Sequence, residues 1–267
     1  MSIHIVNVGN LSYFAAENIT ASHCFTTRLG GVSKGHLDSM NIGTHRGDDP
    51  ENVGKNYEIL ADALGFDTAH LVLTHQTHTD RVLQVGNAHH GAGLFTPELP
   101  ECDALITNDP GTALVIFAAD CTPILFHDPV TGAVGAAHAG WRGTAAGIGA
   151  KTVEAMCRAY GCKAENIRAA IGPNIAQCCF ETREDVPLAM VETLGTDAEK
   201  YIRKNGDKYY VNLKEMNALW LRRAGVKNIE ISDACTACRP DLFWSYRKVG
   251  DARGSQGAII VCEETKI

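Results

Sequence analysis

Short apolar runs bounded by glycine, proline, aspartate or asparagine are interspersed with longer amphipathic stretches along the chain. Such runs are typical of strands, and they predict strands at 3–6, 24–27, 81–85, 104–107, 113–118, 124–127, 133–137, 167–171, 229–232 and 257–261. The amphipathic stretches predict helices at 50–64, 144–160, 183–194 and 212–224. Because strands and helices do not alternate strictly, the pattern favours an α+β fold with mostly antiparallel or mixed sheets.

Local signals refine these elements. Thr144 is expected to cap the second helix and Gly161 to end it, while Asn212 is expected to cap the fourth. The turn residues in 128–132 predict a hairpin between two of the strands. No repeat or linker interrupts the chain, so we expect one domain over residues 1–267.

Composition excludes several classes of function. The chain has 267 residues, of which 45% are hydrophobic and 21% charged, as in an ordinary globular protein. A net charge of −7 and the lack of basic runs argue against nucleic-acid binding. No apolar run is long enough to span a membrane and no export signal is seen, so we expect a cytoplasmic protein.

The ten cysteines are numerous for such a protein. A disulfide framework is typical of short secreted chains, which this is not. We therefore interpret most cysteines as small buried apolar residues. Cys235 and Cys238 have the CxxC spacing of zinc and redox sites, but no second CxxC motif completes a four-thiolate site.

Polar residues at the ends of apolar runs indicate where chemistry is located. "THQTH" places His75 and His78 before one predicted strand, "AADC" ends another at Cys121, and "AAHAGW" places His138 in small apolar surroundings. Each has a structural explanation when taken singly. Together, two imidazoles and one thiol match an open catalytic zinc site, in which a fourth position is left for water or substrate.

Two glycine-rich segments carry arginines. Arg142 stands beside Gly140 and Gly143 at the start of a predicted helix, and Arg28 precedes Gly30. A guanidinium near free backbone N–H groups can hold an anion such as phosphate, although a solvated turn explains the same pattern. The spacing is not that of a nucleotide-binding P-loop.

A series of longer motifs identifies a family. These are, in chain order, "THQTHTDRV", "CDALIT", "AADCTPILFHD", "GAAHAGWRGTAAGI", "AIGPNIAQCCFE", "DACTAC" and "FWSYRKVGDARGSQGAIIV". With them the chain resembles the YfiH-type laccase-domain family, also called polyphenol oxidoreductase laccases, over roughly residues 24–261. The resemblance implies a single-domain sandwich of mixed β-sheets flanked by helices.

The resemblance also implies a site and an activity. It selects His78, rather than His75, to bind one zinc ion with Cys121 and His138. Members are described as purine nucleoside enzymes that cleave adenosine, inosine and methylthioadenosine with phosphate and deaminate adenosine. Purine nucleoside and phosphate are thus the expected partners of a monomer or weak homodimer. Asp120 is a candidate for proton transfer or for orienting a zinc ligand, and Arg28 and Arg142 are candidates for binding phosphate.

Two other activities fit the same residues. Copper binds a site of two histidines and one cysteine more tightly than zinc, so a laccase-like polyphenol oxidase is one alternative. The sequence nevertheless has no His-x-His pair of the kind that builds a multicopper centre. A cysteine hydrolase acting in cell-wall peptide editing is the other, with Cys121 as nucleophile and His138 as base.

Overall fold

A computed structural model describes residues 3–263. The strands are β1 (His4–Val8), β2 (Leu11–Ala15), β3 (His23–Thr26), β4 (Leu71–Leu73), β5 (Val82–Gln84), β6 (Ala104–Thr107), β7 (Ala113–Ala118), β8 (Thr122–His127), β9 (Val134–Ala139), β10 (Arg168–Ile171), β11 (Glu181–Thr182), β12 (Ile202–Asn205), β13 (Lys208–Val211), β14 (Asn228–Ile231) and β15 (Gln256–Val261). The helices are α1 (Pro50–Leu64), α2 (Trp141–Ala145), α3 (Ile148–Tyr160), α4 (Asp185–Leu194), α5 (Leu213–Arg223) and α6 (Tyr246–Val249).

Two six-stranded sheets form the centre of the molecule. Their strand orders are β1-β2-β3-β15-β7-β4 and β14-β10-β8-β9-β6-β5, and a small third sheet has the order β11-β13-β12. The pairs β4/β7, β5/β6 and β10/β14 are parallel, whereas the other pairs are antiparallel. The expected α+β fold with mixed sheets is therefore confirmed.

Side chains that point alternately to the two faces of each strand pack the two large sheets into a sandwich, with helices outside it. In β7, Leu114 and Ile116 belong to the apolar cluster between the two large sheets, which the second sheet completes with Leu105 and Leu125. Val115 faces the opposite way, into a cluster with residues of α1. The outer face of the second sheet packs on α3 and α5. Since both faces of each strand are buried, the central strands are apolar almost throughout.

The helix boundaries follow their capping residues, with one correction. The side chain of Asn212 accepts a hydrogen bond from the N–H of Glu215, and Gly161 ends α3 in the left-handed conformation, as predicted. The helix predicted at 144–160 is wrong at its start, because Gly147 has φ +73° and separates α2 from α3. Thr144 lies inside α2 and is not a cap.

The predicted hairpin at 128–132 is confirmed and joins β8 to β9. Several short strands escaped prediction, namely β2, β4, β11, β12 and β13. None of the helices within residues 3–263 has the length and apolar character needed to cross a membrane.

Candidate active site

Strand register brings three polar side chains together at the ends of the neighbouring strands β6, β8 and β9 of the second sheet. Cys121 lies directly before β8, and the antiparallel pairing of β8 with β9 puts Thr122 opposite Ala139. His138 therefore lies beside Cys121 at the end of β9. On the other side of β9, Ala104 pairs with Ala137, which places Asp103 next to His138.

The buried carboxylate of Asp103 organises the loop that carries His78. Its two oxygens accept hydrogen bonds from the backbone N–H groups of Thr77, His78 and Thr79, at 3.2, 3.1 and 2.8 Å. The hydroxyl of Thr79 donates a further bond of 2.9 Å. These bonds offset the strain at His78, which has φ +62°, a conformation that residues other than glycine rarely adopt.

The same carboxylate orients His138. Nδ1 of His138 is 2.7 Å from Oδ1 of Asp103, and both side chains are almost completely buried. This contact leaves Nε2 of His138 available to a ligand. A carboxylate that holds the second nitrogen of an imidazole is the usual arrangement at metal-binding histidines.

The imidazoles of His78 and His138 and the thiol of Cys121 converge. One ligand atom from each lies within 4.8 Å of the others, and Nε2 of His78 is 4.0 Å from Sγ of Cys121. We call His78, Cys121 and His138 the triad. The two rings meet edge to face with their centroids 5.0 Å apart.

Charge within the triad favours a thiolate. Burial raises the pKa of the Cys121 thiol, but the His138 and His78 imidazoles outweigh burial and lower this pKa to about 6. Burial lowers the pKa of His138, while the Cys121 thiolate and the Asp103 carboxylate raise it to about 9. The sulfur is therefore in the form that attacks electrophiles and binds metals.

Gly140 permits this close approach. A Cβ atom at this position would lie 2.9 Å from Cδ2 of His78 and 3.3 Å from Sγ of Cys121. Only a residue without a side chain fits against both groups.

Two cavities of different character adjoin the triad. The first, of about 190 Å³, is lined by the charged and polar side chains of Arg46, His75, Gln76, Glu98 and Arg253, among others. The second, of about 270 Å³, has a mainly apolar lining that includes Ile175, Phe180, Leu213 and Tyr246. His78, Cys121 and Arg253 contribute to both, so the triad stands where the two cavities meet.

The two arginines predicted to bind phosphate lie elsewhere. Arg28 donates hydrogen bonds to the carbonyl oxygens of Pro240 and Asp38, and its guanidinium stacks 3.9 Å from the Trp244 ring. Arg142 stacks on Trp141. Neither Arg28 nor Arg142 is among the described residues that line the two cavities. Both guanidinium groups contact the protein itself, and phosphate binding by Arg28 and Arg142 stays a prediction.

Asp120 adjoins the triad, and its carboxylate already accepts three hydrogen bonds. Oδ1 accepts a bond of 2.6 Å from the Thr236 hydroxyl, and Oδ2 accepts bonds from the Ser245 hydroxyl and the backbone N–H of Arg247. These bonds hold two loops in place and leave little capacity for proton transfer. The carboxylate that orients a triad histidine is Asp103, which sequence reasoning missed.

Comparisons with known proteins place the chain in a family. The family model described as multi-copper polyphenol oxidoreductase laccase matches residues 22–263. The chain belongs to this laccase family. A purine nucleoside phosphorylase of Streptomyces griseus, ORF3, is 43% identical over 229 residues, which are 86% of this chain and 89% of that protein.

Other relatives in the family carry the same enzyme name. Purine nucleoside phosphorylase YlmD of Bacillus subtilis is 35% identical, with 90% of this chain and 88% of that protein covered. The crystal structure of YlmD from Geobacillus stearothermophilus matches with a TM-score of 0.93 at 35% identity, over 99% of this chain and all of the other. The expected family and its helix-flanked fold are thus confirmed.

Three residues of this laccase-family site were not identified from the sequence. Asp103 stands in "CDALIT" as a single acidic residue at the start of an apolar strand, an anomaly of the same kind as His138. Arg46 and Arg253 come from loops more than 200 residues apart in sequence, as their numbers show. No residue pattern within either loop predicts that the two arginines line the same cavity.

Proposed function

We propose that the protein is a zinc-dependent purine nucleoside phosphorylase, which also deaminates adenosine to inosine. Its substrates are adenosine, inosine and methylthioadenosine, which phosphate cleaves to a free base and ribose 1-phosphate or methylthioribose 1-phosphate. The observation that carries this proposal is the meeting of a cavity lined by two arginines and a mainly apolar cavity at the triad. The enzyme name of the relatives supports the same activity.

The triad residues fit a zinc ion. Tetrahedral zinc with Zn–N and Zn–S bonds of about 2.0 and 2.3 Å separates the two ligand atoms by about 3.5 Å. The separation of 4.0 Å between Nε2 of His78 and Sγ of Cys121 is close to this value. His78, Cys121 and His138 would hold the metal, which supplies a Lewis acid with one open position.

Arg46 and Arg253 support phosphate binding in the first cavity. Nε of Arg253 is buried and has no hydrogen-bond partner among residues 3–263. Burial and the neighbouring positive charge of Arg46 lower the pKa of Arg253. A phosphate between the two guanidinium groups would satisfy this donor and remove the repulsion.

The second cavity suits a purine. Phe180, Ile175 and Leu213 provide apolar surface, and the ring of Tyr246 is half exposed and available for stacking. Guanidinium and aromatic surfaces are both favourable partners for a planar base. With the base on one side and phosphate on the other, the ribose carbon that bears the base would lie at the triad.

Deamination requires a carboxylate beside the metal site that can move a proton without itself binding the metal. Asp103 already accepts five hydrogen bonds and Asp120 accepts three, so Glu98, which lines the cavity that also contains all three triad residues, is our candidate. It lines the first cavity, is 41% exposed, and its carboxylate contacts Nε2 of His45 at 2.6 Å. Glu98→Gln is expected to reduce inosine formation from adenosine more than phosphorolysis.

The decisive experiment follows adenosine with and without phosphate while zinc content is measured. Adenine is expected only with phosphate, and inosine in either case. His78→Ala should lose both zinc and turnover, whereas His75→Ala, a matched change in the same loop, should keep its zinc. Turnover retained in His78→Ala, or no nucleoside turnover in zinc-loaded protein, would refute the proposal.

A copper oxidase is less well supported, although the family description names copper. The described residues form two clusters of side chains that could bind a metal, and neither cluster contains more than two histidines. A multicopper centre needs more imidazoles than this. Phenol oxidation with one copper per chain and no nucleoside turnover would favour that alternative.

A cysteine hydrolase is the second candidate, because Cys121, His138 and Asp103 are arranged as a nucleophile, a base and an orienting acid, respectively. Cell-wall peptides would be its substrates. This mechanism predicts inactivation by iodoacetamide and full activity after treatment with a chelator. The zinc mechanism predicts loss of activity with the chelator and recovery with added zinc.

A further inference from the structure

A second group of cysteines lies outside the triad. The sulfur atoms of Cys178, Cys179, Cys235 and Cys238 all lie within 4.8 Å of one another. Sγ of Cys178 is 3.8 Å from that of Cys179 and 3.6 Å from that of Cys238, and the Cys179 and Cys238 sulfurs are 3.4 Å apart. The adjacent pair completes the single CxxC motif that appeared incomplete in the sequence.

Parallel strand pairing creates this cluster. β10 and β14 are parallel neighbours, with Ile171 paired to Ile231, so the loops after both strands leave the same edge of the sheet. A bridge between Asn174 and Cys235 keeps these loops together. One loop supplies the Cys178–Cys179 pair and the other supplies the CxxC motif.

The sulfur separations match a tetrahedral metal site. With Zn–S bonds of about 2.3 Å, tetrahedral geometry places the sulfur atoms about 3.8 Å apart. A disulfide requires about 2.05 Å, and none of these cysteines is paired in that way. Cys178 and Cys238 are exposed, so these two do not belong to the buried apolar cysteines that the sequence predicts.

Neighbouring donors and charge favour a thiolate at Cys235. Sγ of Cys235 accepts hydrogen bonds from the backbone N–H groups of Ala176, Ala237 and Cys238. N–H groups two and three residues after the first cysteine of a CxxC motif suit a metal-bound thiolate. The ammonium group of Lys214 is buried beside Cys235 and anchored to two backbone carbonyl oxygens. Its positive charge offsets part of the negative charge that four thiolates and one divalent ion carry together.

The cluster is mechanically linked to the wall of the second cavity. The carbonyl oxygen of Cys179 accepts a bond of 2.7 Å from Arg247, whose backbone N–H binds Asp120. Thr236, within the CxxC motif, also donates to Asp120, which directly precedes the triad cysteine. Phe180, next to Cys179, lines the cavity itself.

We propose that Cys178, Cys179, Cys235 and Cys238 bind a structural zinc ion that joins the two loops and thereby fixes one wall of the apolar cavity. The ion is distinct from any metal at the triad and has no open coordination position. Its role is to hold together the loops that follow β10 and β14, beyond the last paired residues of these two strands.

The first test separates the two metal sites by stoichiometry. In protein carrying Cys121→Ala, which disables the triad, we expect about one zinc per chain by elemental analysis. Adding Cys178→Ser and Cys238→Ser should remove it, whereas adding Cys157→Ser, a change at a half-buried cysteine outside both clusters, should not. Zinc unaffected by the serine pair, or iron in its place, would overturn the proposal. This readout does not depend on whether the protein cleaves nucleosides.

The second test uses the wild-type chain and needs no altered cysteine. Although exposed, Cys178 and Cys238 should react with N-ethylmaleimide about tenfold more slowly before a chelator is added than afterwards, because bound zinc occupies their sulfurs. Peptide mass spectrometry locates the modified residues. Equal rates with and without the chelator would contradict the proposal, as would an intact mass showing a disulfide between these cysteines.

Discussion

Replacement of Asp103 by asparagine tests the organisation of the site most directly. Oδ1 of Asp103 accepts hydrogen bonds from His138 Nδ1 and the His78 N–H, while Oδ2 accepts from the Thr77 N–H and from both the N–H and hydroxyl of Thr79. An amide keeps one oxygen. Whichever way it turns, its NH2 group must face at least two of these donors.

The expected losses follow from this count. Two buried donors without acceptors cost about 1–2 kcal/mol each, so Asp103→Asn should lower the free energy of unfolding by about 2–4 kcal/mol. His138 also loses the carboxylate that fixes its ring, which typically lowers metal affinity or activity about 10–100-fold. A globular domain with a stability of about 5–15 kcal/mol remains folded after this change.

Urea unfolding and zinc competition against a chromophoric chelator measure the two effects. Asp109→Asn is the matched control, because this half-buried carboxylate accepts one backbone bond, from Asn87, away from the triad. Asp103→Asn with zinc affinity within about twofold of the wild type, and with the stability of the control, would refute the role assigned to Asp103.

Three further changes test other parts of the structure. Gly140→Ala places a methyl group 2.9 Å from the His78 ring, at an overpacking cost of about 1–3 kcal/mol. This change should reduce kcat/KM for phosphorolysis about tenfold or more, with a thermal unfolding midpoint close to the wild type. An unchanged rate contradicts the assigned contact. Arg253→Met should raise KM for phosphate at least about tenfold without a matching rise in KM for the nucleoside, and equal changes in both would argue against a phosphate site. Burial and a nearby arginine lower the pKa of His127 from 6.5 to about 4 in the folded protein. The unfolded chain therefore binds a proton at a higher pH than the folded chain does, and the free energy of unfolding falls by about 3 kcal/mol as the pH drops from 6.5 to 4. His127→Asn should flatten this part of a pH series of urea unfolding curves, whereas His36→Asn, at an exposed site, should not.

Much of the fold was predictable because burial leaves a local trace. The strands β6 and β7 and the helix α1 were predicted with the observed boundaries, since each is an unbroken apolar or amphipathic run between turn or capping residues. The break at Gly147 was missed because alanines and glycines on both sides continue a helical pattern. The short strands of the third sheet are partly exposed and carry no such run.

The sequence by itself determined the mixed α+β architecture and marked Cys121 and His138 as polar residues in apolar surroundings. Only the tertiary structure decided which side chains meet. Asp103 supports the triad, and two cysteine pairs from separate loops converge. Arg46 and Arg253 line the first cavity, whereas Arg28 and Arg142 do not. The physical reason is that apolar periodicity is a property of neighbouring positions along the chain. Proximity of side chains is set by the register and packing of strands that are distant in sequence.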